Sequence, residues 1–355
     1  MTVTETAIAE AFAQRMVGVL NDAGLALMTS IGHRVGLFDT LSELPASTSQ
    51  QIADAAGLQE RYVREWLGAM TVSGVVDYDP ASGSYRLPAE HAACLTRAAG
   101  PENLAIQMQY IPLLAGAEDA VAECFRAGGG VPYSEYREFH RLMAEDSAAT
   151  NDLALIDTVL PLVEGLTEQL RAGIEVADVG CGSGHAVNLM AQAFPASRFV
   201  GYDFSEEGIS AARREAEELA LANARFELRD VTELGETDRF DLVTAFDAIH
   251  DQAHPARVLS SIAGALRADG VFLMVDIQAS SNLEDNLEHP LGPFLYTVST
   301  MHCMTVSLAS GGDGLGTVWG EQTARRMLAE AGFRSVESAD VEVDIVNSYF
   351  IARKG

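Results

Sequence analysis

The stretch VADVGCGSG, Val176 to Gly184, decides how this chain is read: a short apolar run ends in a glycine-rich turn and passes directly into HAVNLMAQAF, a helical pattern. Glycine has no Cβ and tolerates positive φ, so a turn of this kind between strand and helix lets a ligand approach the backbone. Outward from it, IEVADVG, SRFVGYD, ARFELRD, FDLVTAF and GVFLMVDI are short apolar strands separated by helix-length segments. That alternation predicts a parallel, doubly wound α/β sheet. After a helix over Gln322 to Ala331, SVESADV and SYFIARK add two strands joined by a short connection, giving a mostly parallel seven-stranded Rossmann-like sheet over residues 171–355.

The chain before Gly173 has a different texture. From Ala7 to Leu41, Ile8, Phe12, Met16, Val19, Leu20, Leu27, Ile31, Val35 and Leu37 recur at three- and four-residue steps, the period of helices with one buried face, and Gly24 and Gly32 are expected to interrupt or bend them. Ser47-Thr48-Ser49 caps a helix ending near Ala56, Gly57 turns, and Glu60 to Met70 forms a second helix. VVDYD, PASG and SYRLP then read as strand, turn and strand, so Gly36 to Pro88 predicts a winged helix inside an N-terminal, mainly helical domain over residues 1–100. Residues 101–170 read as joining helices, split by Gly128-Gly129-Gly130 and Pro132, that take part in dimerisation or cover a substrate.

The glycine spacing discriminates among ligands. A dinucleotide fingerprint wants its third glycine at position 185, which is His185; here the third is Gly184, with Asp178 two residues before Gly180. This acid-x-G-x-G-x-G pattern resembles the first motif of class I methyltransferases, and the resemblance implies S-adenosyl-L-methionine as cofactor and S-adenosyl-L-homocysteine as product. It places Asp178, Gly180, Cys181, Gly182 and Gly184 around the cofactor. Asp203, ending the second strand and followed by Phe204, is positioned to accept both ribose hydroxyls. Asp230, ending the third, matches the acid that accepts from the adenine amino group beside the Val231 amide, and Phe246 in the fourth strand falls near the reacting methyl group. Cys181 reads as a small packing residue of the loop and not as a nucleophile.

The fourth strand runs into Ala248-Ile249-His250-Asp251, which resembles the leucine-histidine-aspartate element of small-molecule O-methyltransferases. The resemblance implies His250 as the base that deprotonates an acceptor hydroxyl, a role suited to an imidazole near neutrality, with Asp276 at the end of the fifth strand orienting it. The tryptophan usual after that element is absent, Gln252 standing in its place, and Asp251 is expected to cap a helix. His254 lies four residues after His250, but Pro255 makes the stretch a turn, so no metal site is expected. Residues 282–319 read as a lid insertion over the strand ends; His302 and Cys303 within it, and Tyr133, His140 and Met143 in the joining helices, are candidate acceptor contacts. Across nearly its whole length the chain resembles a family of actinobacterial methyltransferases and transcriptional regulators. The two-part layout, similar to that of small-molecule O-methyltransferases, implies a homodimer.

Composition narrows the partners. With 51 acidic against 23 basic residues and a net charge of -28, much of the surface repels phosphate backbones and anionic lipid. The helix over Glu60 to Met70 offsets Arg61 and Arg64 with Glu60 and Glu65, so neither nucleic acid nor a membrane is expected as partner. Four separated cysteines without a CxxC pair and an N-terminus without a signal-peptide pattern predict a cytoplasmic protein. The expected function is O-methylation of a small, partly apolar molecule. N- or S-methylation, a ligand-responsive winged-helix regulator and an idle binding scaffold are the alternatives.

Overall fold

The computed structural model describes residues 3–342 and 344–354; the outer bounds of the sequence-read domains, residues 1 and 355, lie outside them. Contacts divide the chain into two compact units, the boundary falling between Ala115 and Gly116, within the stretch read as joining helices.

In the N-terminal unit, Thr48 accepts from the Gln51 amide while the Gln51 side chain accepts from the Thr48 amide, a capping box that starts the helix Ser49–Ala56. Gly57, at φ 67°, ends it, and the helix Glu60–Val72 follows. The strands β1 (Asp77–Asp79) and β2 (Ser84–Arg86) pair antiparallel as the wing. Phe38, Ile52, Val63, Trp66, Leu67 and Met70 form the core beneath them. Arg61 pairs with Glu65 and Arg64 with Glu60, so the helix that would read DNA neutralises its own cations.

Two expectations about the first 40 residues are corrected. Gly24 and Gly32 do not interrupt the helix, which runs unbroken over Val3–Arg34. A Cβ at Gly32 would stand 2.5 Å from the Trp66 ring, so this glycine serves close packing, while one at Gly24 would meet nothing within 4 Å. Most of the periodic apolar row is also not buried within the chain: Ile8, Phe12, Met16, Val19, Leu20, Leu27, Ile31 and Val35 are all exposed, and only Leu37 joins the core.

The second unit holds the seven-stranded sheet, formed by β3 (Glu175–Val179), β4 (Arg198–Asp203), β5 (Ala224–Leu228), β6 (Phe240–Phe246), β7 (Leu266–Ile277), β8 (Phe333–Val341) and β9 (Asp344–Lys354). Its order is β5-β4-β3-β6-β7-β9-β8, with the first five parallel and β9 antiparallel to both β7 and β8. Side chains alternate across the strands with period two and build two cores. Val176, Phe199, Leu242 and Leu273 pack with Leu160, Val187, Met190 and Ile209 on one face. Ala177, Val200, Val243 and Phe272 pack with Val258, Ile262 and Leu328 on the other. Strand order reverses between β3 and β6, and in open α/β sheets the crevice for a ligand opens at the carboxyl ends of the strands at that reversal.

Among the described residues no helix is long and apolar enough to cross a membrane.

Candidate active site

The loop after β3 is held by its neighbour strand. The amides of Gly180 and Cys181 both donate to the Tyr202 carbonyl, at 2.9 and 3.1 Å, and the Gly182 amide donates to Asp203 Oδ2 at 2.8 Å. All three glycines have positive φ, at 73°, 52° and 74°. A Cβ on Gly180 would lie 2.4 Å from the Ala248 Cβ, and one on Gly184 would meet Ala212 and Phe226 at 2.4 and 2.5 Å; one on Gly182 would meet nothing within 4 Å. The outer glycines thus let the loop press onto the turn after β6, onto β5 and onto the helix Glu206–Glu218, while the middle one leaves bare backbone with nothing within 4 Å of its would-be Cβ.

Asp178 is buried and accepts from Thr244 Oγ1 at 2.6 Å; burial pushes its carboxyl up to about 7, with the nearby Asp203 adding to the rise. Asp203 takes the Gly182 amide on Oδ2 and the Ser205 amide on Oδ1, so each oxygen keeps one lone-pair direction for a ligand hydroxyl. Asp230 is exposed and caps the short helix Val231–Glu233, accepting from the Thr232 amide and hydroxyl on Oδ1. Its Thr232 bonds hold it below the ordinary carboxylate range, so it stays an acceptor at neutral pH. Val231 is buried and Phe246 half-buried. Burial pushes the Cys181 thiol well above its ordinary value, which fits the packing role.

Where β6 ends, the chain turns over Asp247, a non-glycine at φ 51°, and delivers His250 beneath the lid. His250 Nδ1 lies 2.8 Å from Asp276 Oδ1, and both side chains are almost completely buried. The same oxygen accepts from Trp319 Nε1 and from the Ile277 amide, each at 2.9 Å. Burial disfavours charge on His250, yet Asp276 and Cys303 together hold its pKa well above the ordinary histidine value. Asp251 does not cap a helix: the next helix begins at Pro255, preceded by His254, and Asp251 is instead a partly buried carboxyl, pushed by that burial up to about 6.

The lid insertion contributes the helix Gly292–Val298, a π-helical turn Ser299–Cys303 and the helix Met304–Ala309. Single π turns inside helices mark functional sites often enough to be noted. This one is clamped by the segment after the glycine run: the Tyr136 hydroxyl donates to the Met301 carbonyl, and the Val131 amide donates to Thr305 Oγ1 at 2.8 Å. His302 stacks on Phe139 with centroids 3.8 Å apart and planes 8° from parallel. Tyr133 meets Phe139, His140, Phe204 and His302 with centroids between 5.0 and 5.7 Å.

Of the residues picked from sequence, the structure gathers Tyr133, His140, His302 and Phe204 into one aromatic cluster and sets Cys303 beside His302. Phe204 is exposed, and its ring faces Tyr133. Met143 is partly buried one turn beyond His140 on the helix Phe139–Ala154. Sequence reasoning missed Phe139, Thr244, Asp247 and Trp319. The indole was legible only as an aromatic in GTVWG, since its partner Asp276 lies 43 residues away. For Asp247 the signal is a strained φ, which no residue pattern states.

Residues 23–97 match an Rv2258c-like winged HTH domain and residues 170–332 a methyltransferase domain. The chain is 32% identical over 122 residues to a trans-aconitate 2-methyltransferase of Variovorax paradoxus, covering 34% of this chain and 42% of that protein. It is 28% identical over 182 residues to the methyltransferase GfsG of Streptomyces halstedii, covering 48% and 65%. In each case the chain spans less than two thirds of the curated relative it matches. Among solved structures, the mitomycin 7-O-methyltransferase MmcR superimposes with a TM-score of 0.69 at 20% identity, over 98% of this chain and 99% of that one. The human N-acetylserotonin methyltransferase in complex with S-adenosylmethionine gives 0.68 at 17%, over 97% and 98%. These structural likenesses establish the fold.

Proposed function

We propose that this chain, which carries a methyltransferase domain behind a winged helix-turn-helix domain, transfers a methyl group from S-adenosylmethionine to a hydroxyl oxygen of a small, partly apolar molecule. The observation that carries the reading is the buried His250–Asp276 pair, set where β6 and β7 end beside the glycine loop. The loop fits the cofactor: the Gly182 backbone is bare, the Asp203 oxygens each keep an acceptor direction, and the second Asp230 oxygen remains for an amino donor. When bound, the sulfonium supplies an electrophilic methyl group. The chain's own part is to orient the acceptor and remove its proton. Asp276 fixes the imidazole through Nδ1, which leaves Nε2 to take the hydroxyl proton. The aromatic cluster and the lid exclude water from the reacting atoms.

A base must be neutral to act, and Asp276 with Cys303 raises the pKa of His250 despite its burial. Turnover should therefore rise with pH along a limb centred above the ordinary histidine value of about 6.5, and fall below it. His250→Ala should lower kcat about 10²–10⁴-fold with cofactor affinity unchanged, and should abolish that limb. A variant that keeps both its rate and its pH limb removes the base assignment; a nitrogen or sulfur acceptor, needing less help with deprotonation, would give that result. The regulator alternative gains nothing from the recognition helix, whose arginines are paired with its own glutamates.

The exposed apolar row on the helix Val3–Arg34 supports a homodimer, as the two-part layout implies. Light scattering at micromolar concentration should return twice the chain mass. A monomer mass there excludes it.

A further inference from the structure

His302 is fully buried on the π turn, yet its Nε2 has no hydrogen-bond partner among the described residues. Everything else about the ring is fixed. One face lies flat on Phe139 at 3.8 Å, and the Tyr133 and Tyr136 rings meet it near edge-on with centroids at 5.3 and 4.7 Å. Nδ1 stands 3.7 Å from Cys303 Sγ, and the charge of His250 is felt by His302 as that of Cys303 is by His250, so the three side chains are neighbours. Burial, with His250 and His140 nearby, lowers the His302 pKa to about 3, so the ring is neutral at working pH. A neutral imidazole carries one proton. Whichever nitrogen holds it, Nε2 is left needing one partner, a donor or an acceptor according to the tautomer.

Buried polar groups without partners are few in native proteins and each calls for an explanation. Packing does not supply one, since a phenylalanine would fill the same slot without the unmet bond. We propose that His302 is the specificity-determining residue of the acceptor site, and that the acceptor is a flat aromatic ring bearing a second hydroxyl close to the one that is methylated. A hydroxyl both donates and accepts, so it satisfies Nε2 in either tautomer. His250 lies near enough to act electrostatically on His302, so an acceptor whose methylated hydroxyl meets His250 would bring an oxygen on the adjoining ring carbon toward His302. The aromatic walls at Phe139, Tyr133 and Tyr136 suit a planar molecule. A site built to meet a hydroxyl discriminates sharply against the analogue without it, because the analogue leaves the buried group unpaired.

This inference rests on the methyltransferase reading, and the test separates the two. S-adenosylhomocysteine is titrated first by calorimetry, then catechol and phenol are titrated into the saturated protein. Catechol should bind about 10–100-fold more tightly than phenol. His302→Phe, which keeps the stack on Phe139, should bring that ratio to near one while retaining phenol affinity. His302→Gln, a second variant that keeps a donor and an acceptor, should restore part of the ratio. A merely structural histidine would weaken both probes alike. Equal affinities in the unmodified protein, a ratio unmoved in His302→Phe, or no binding of either probe to the saturated protein overturns the proposal and leaves the cofactor reading standing. No binding of S-adenosylhomocysteine overturns both.

Discussion

The loop after β3 and the wall under the lid are built from different materials. The loop is backbone: Gly180, Gly182 and Gly184 set its shape within five residues, and two carbonyl-directed amides and one carboxylate hold it. The wall is side chains: Tyr133 and Phe139 come from one stretch, Phe204 from the end of β4, His250 from the end of β6, Asp276 from β7, and His302 and Trp319 from the insertion. On the proposed reading, a ligand common to many enzymes is met by backbone at fixed spacing, and a ligand particular to one enzyme by side chains brought from far apart in sequence.

The largest effect should come from breaking the loop alone. In Gly184→Val the new Cβ must displace Ala212 and Phe226 while the backbone stays at φ 74°, a combined cost of about 3 kcal/mol. Calorimetry should show binding of S-adenosylhomocysteine lost, with the melting temperature several degrees lower. Gly235→Ala is the control: φ is 68°, but the Cβ would meet nothing within 4 Å, so only the backbone strain of about 1 kcal/mol remains. If the two variants bind the cofactor analogue equally well, close packing is not what shapes the loop.

The same contrast explains what could be read from the chain. The alternation of strands and helices, the glycine loop, Asp203 at the end of β4 and the winged helix were all legible because each follows from spacing within about 20 residues, where periodicity and turn chemistry act. The Trp319–Asp276 bond spans 43 residues and the Tyr136–Met301 bond 165, distances at which spacing carries no rule. The first helix shows a different limit. Its three- and four-residue period told correctly of a helix, but a period cannot say whether an apolar face is covered by the chain itself, and here it is exposed. Gly32 was misread for a related reason: the close approach of Trp66 that demands a glycine comes from 34 positions later.

One residue links the two regions, and it gives the smallest predicted effect. His185 begins the helix that follows the loop, and both of its nitrogens meet carboxylates: Nδ1 lies 2.5 Å from Glu215, and Nε2 lies 2.9 Å from Asp152 on the helix that also carries Phe139 and His140. Two acceptors on one ring require two protons, so the contact is complete only for the imidazolium. Burial opposes that charge, but the bonds to Asp152 and Glu215 outweigh it and raise the pKa above 6.5; Asn188, which also donates to Glu215 at 2.8 Å, is not titratable. A raised pKa in the folded state means that the stabilisation is fully present below the unfolded value of about 6.5 and fades as pH climbs through the folded one. With Asp152 largely exposed, the amount at stake is about 1 kcal/mol. The melting temperature of the unmodified protein should therefore fall by a few degrees relative to that of His185→Gln between pH 6 and pH 9. The glutamine has no proton to lose, so parallel curves for the two proteins across that range would show that the cofactor helix and the aromatic wall are held together by something other than this histidine.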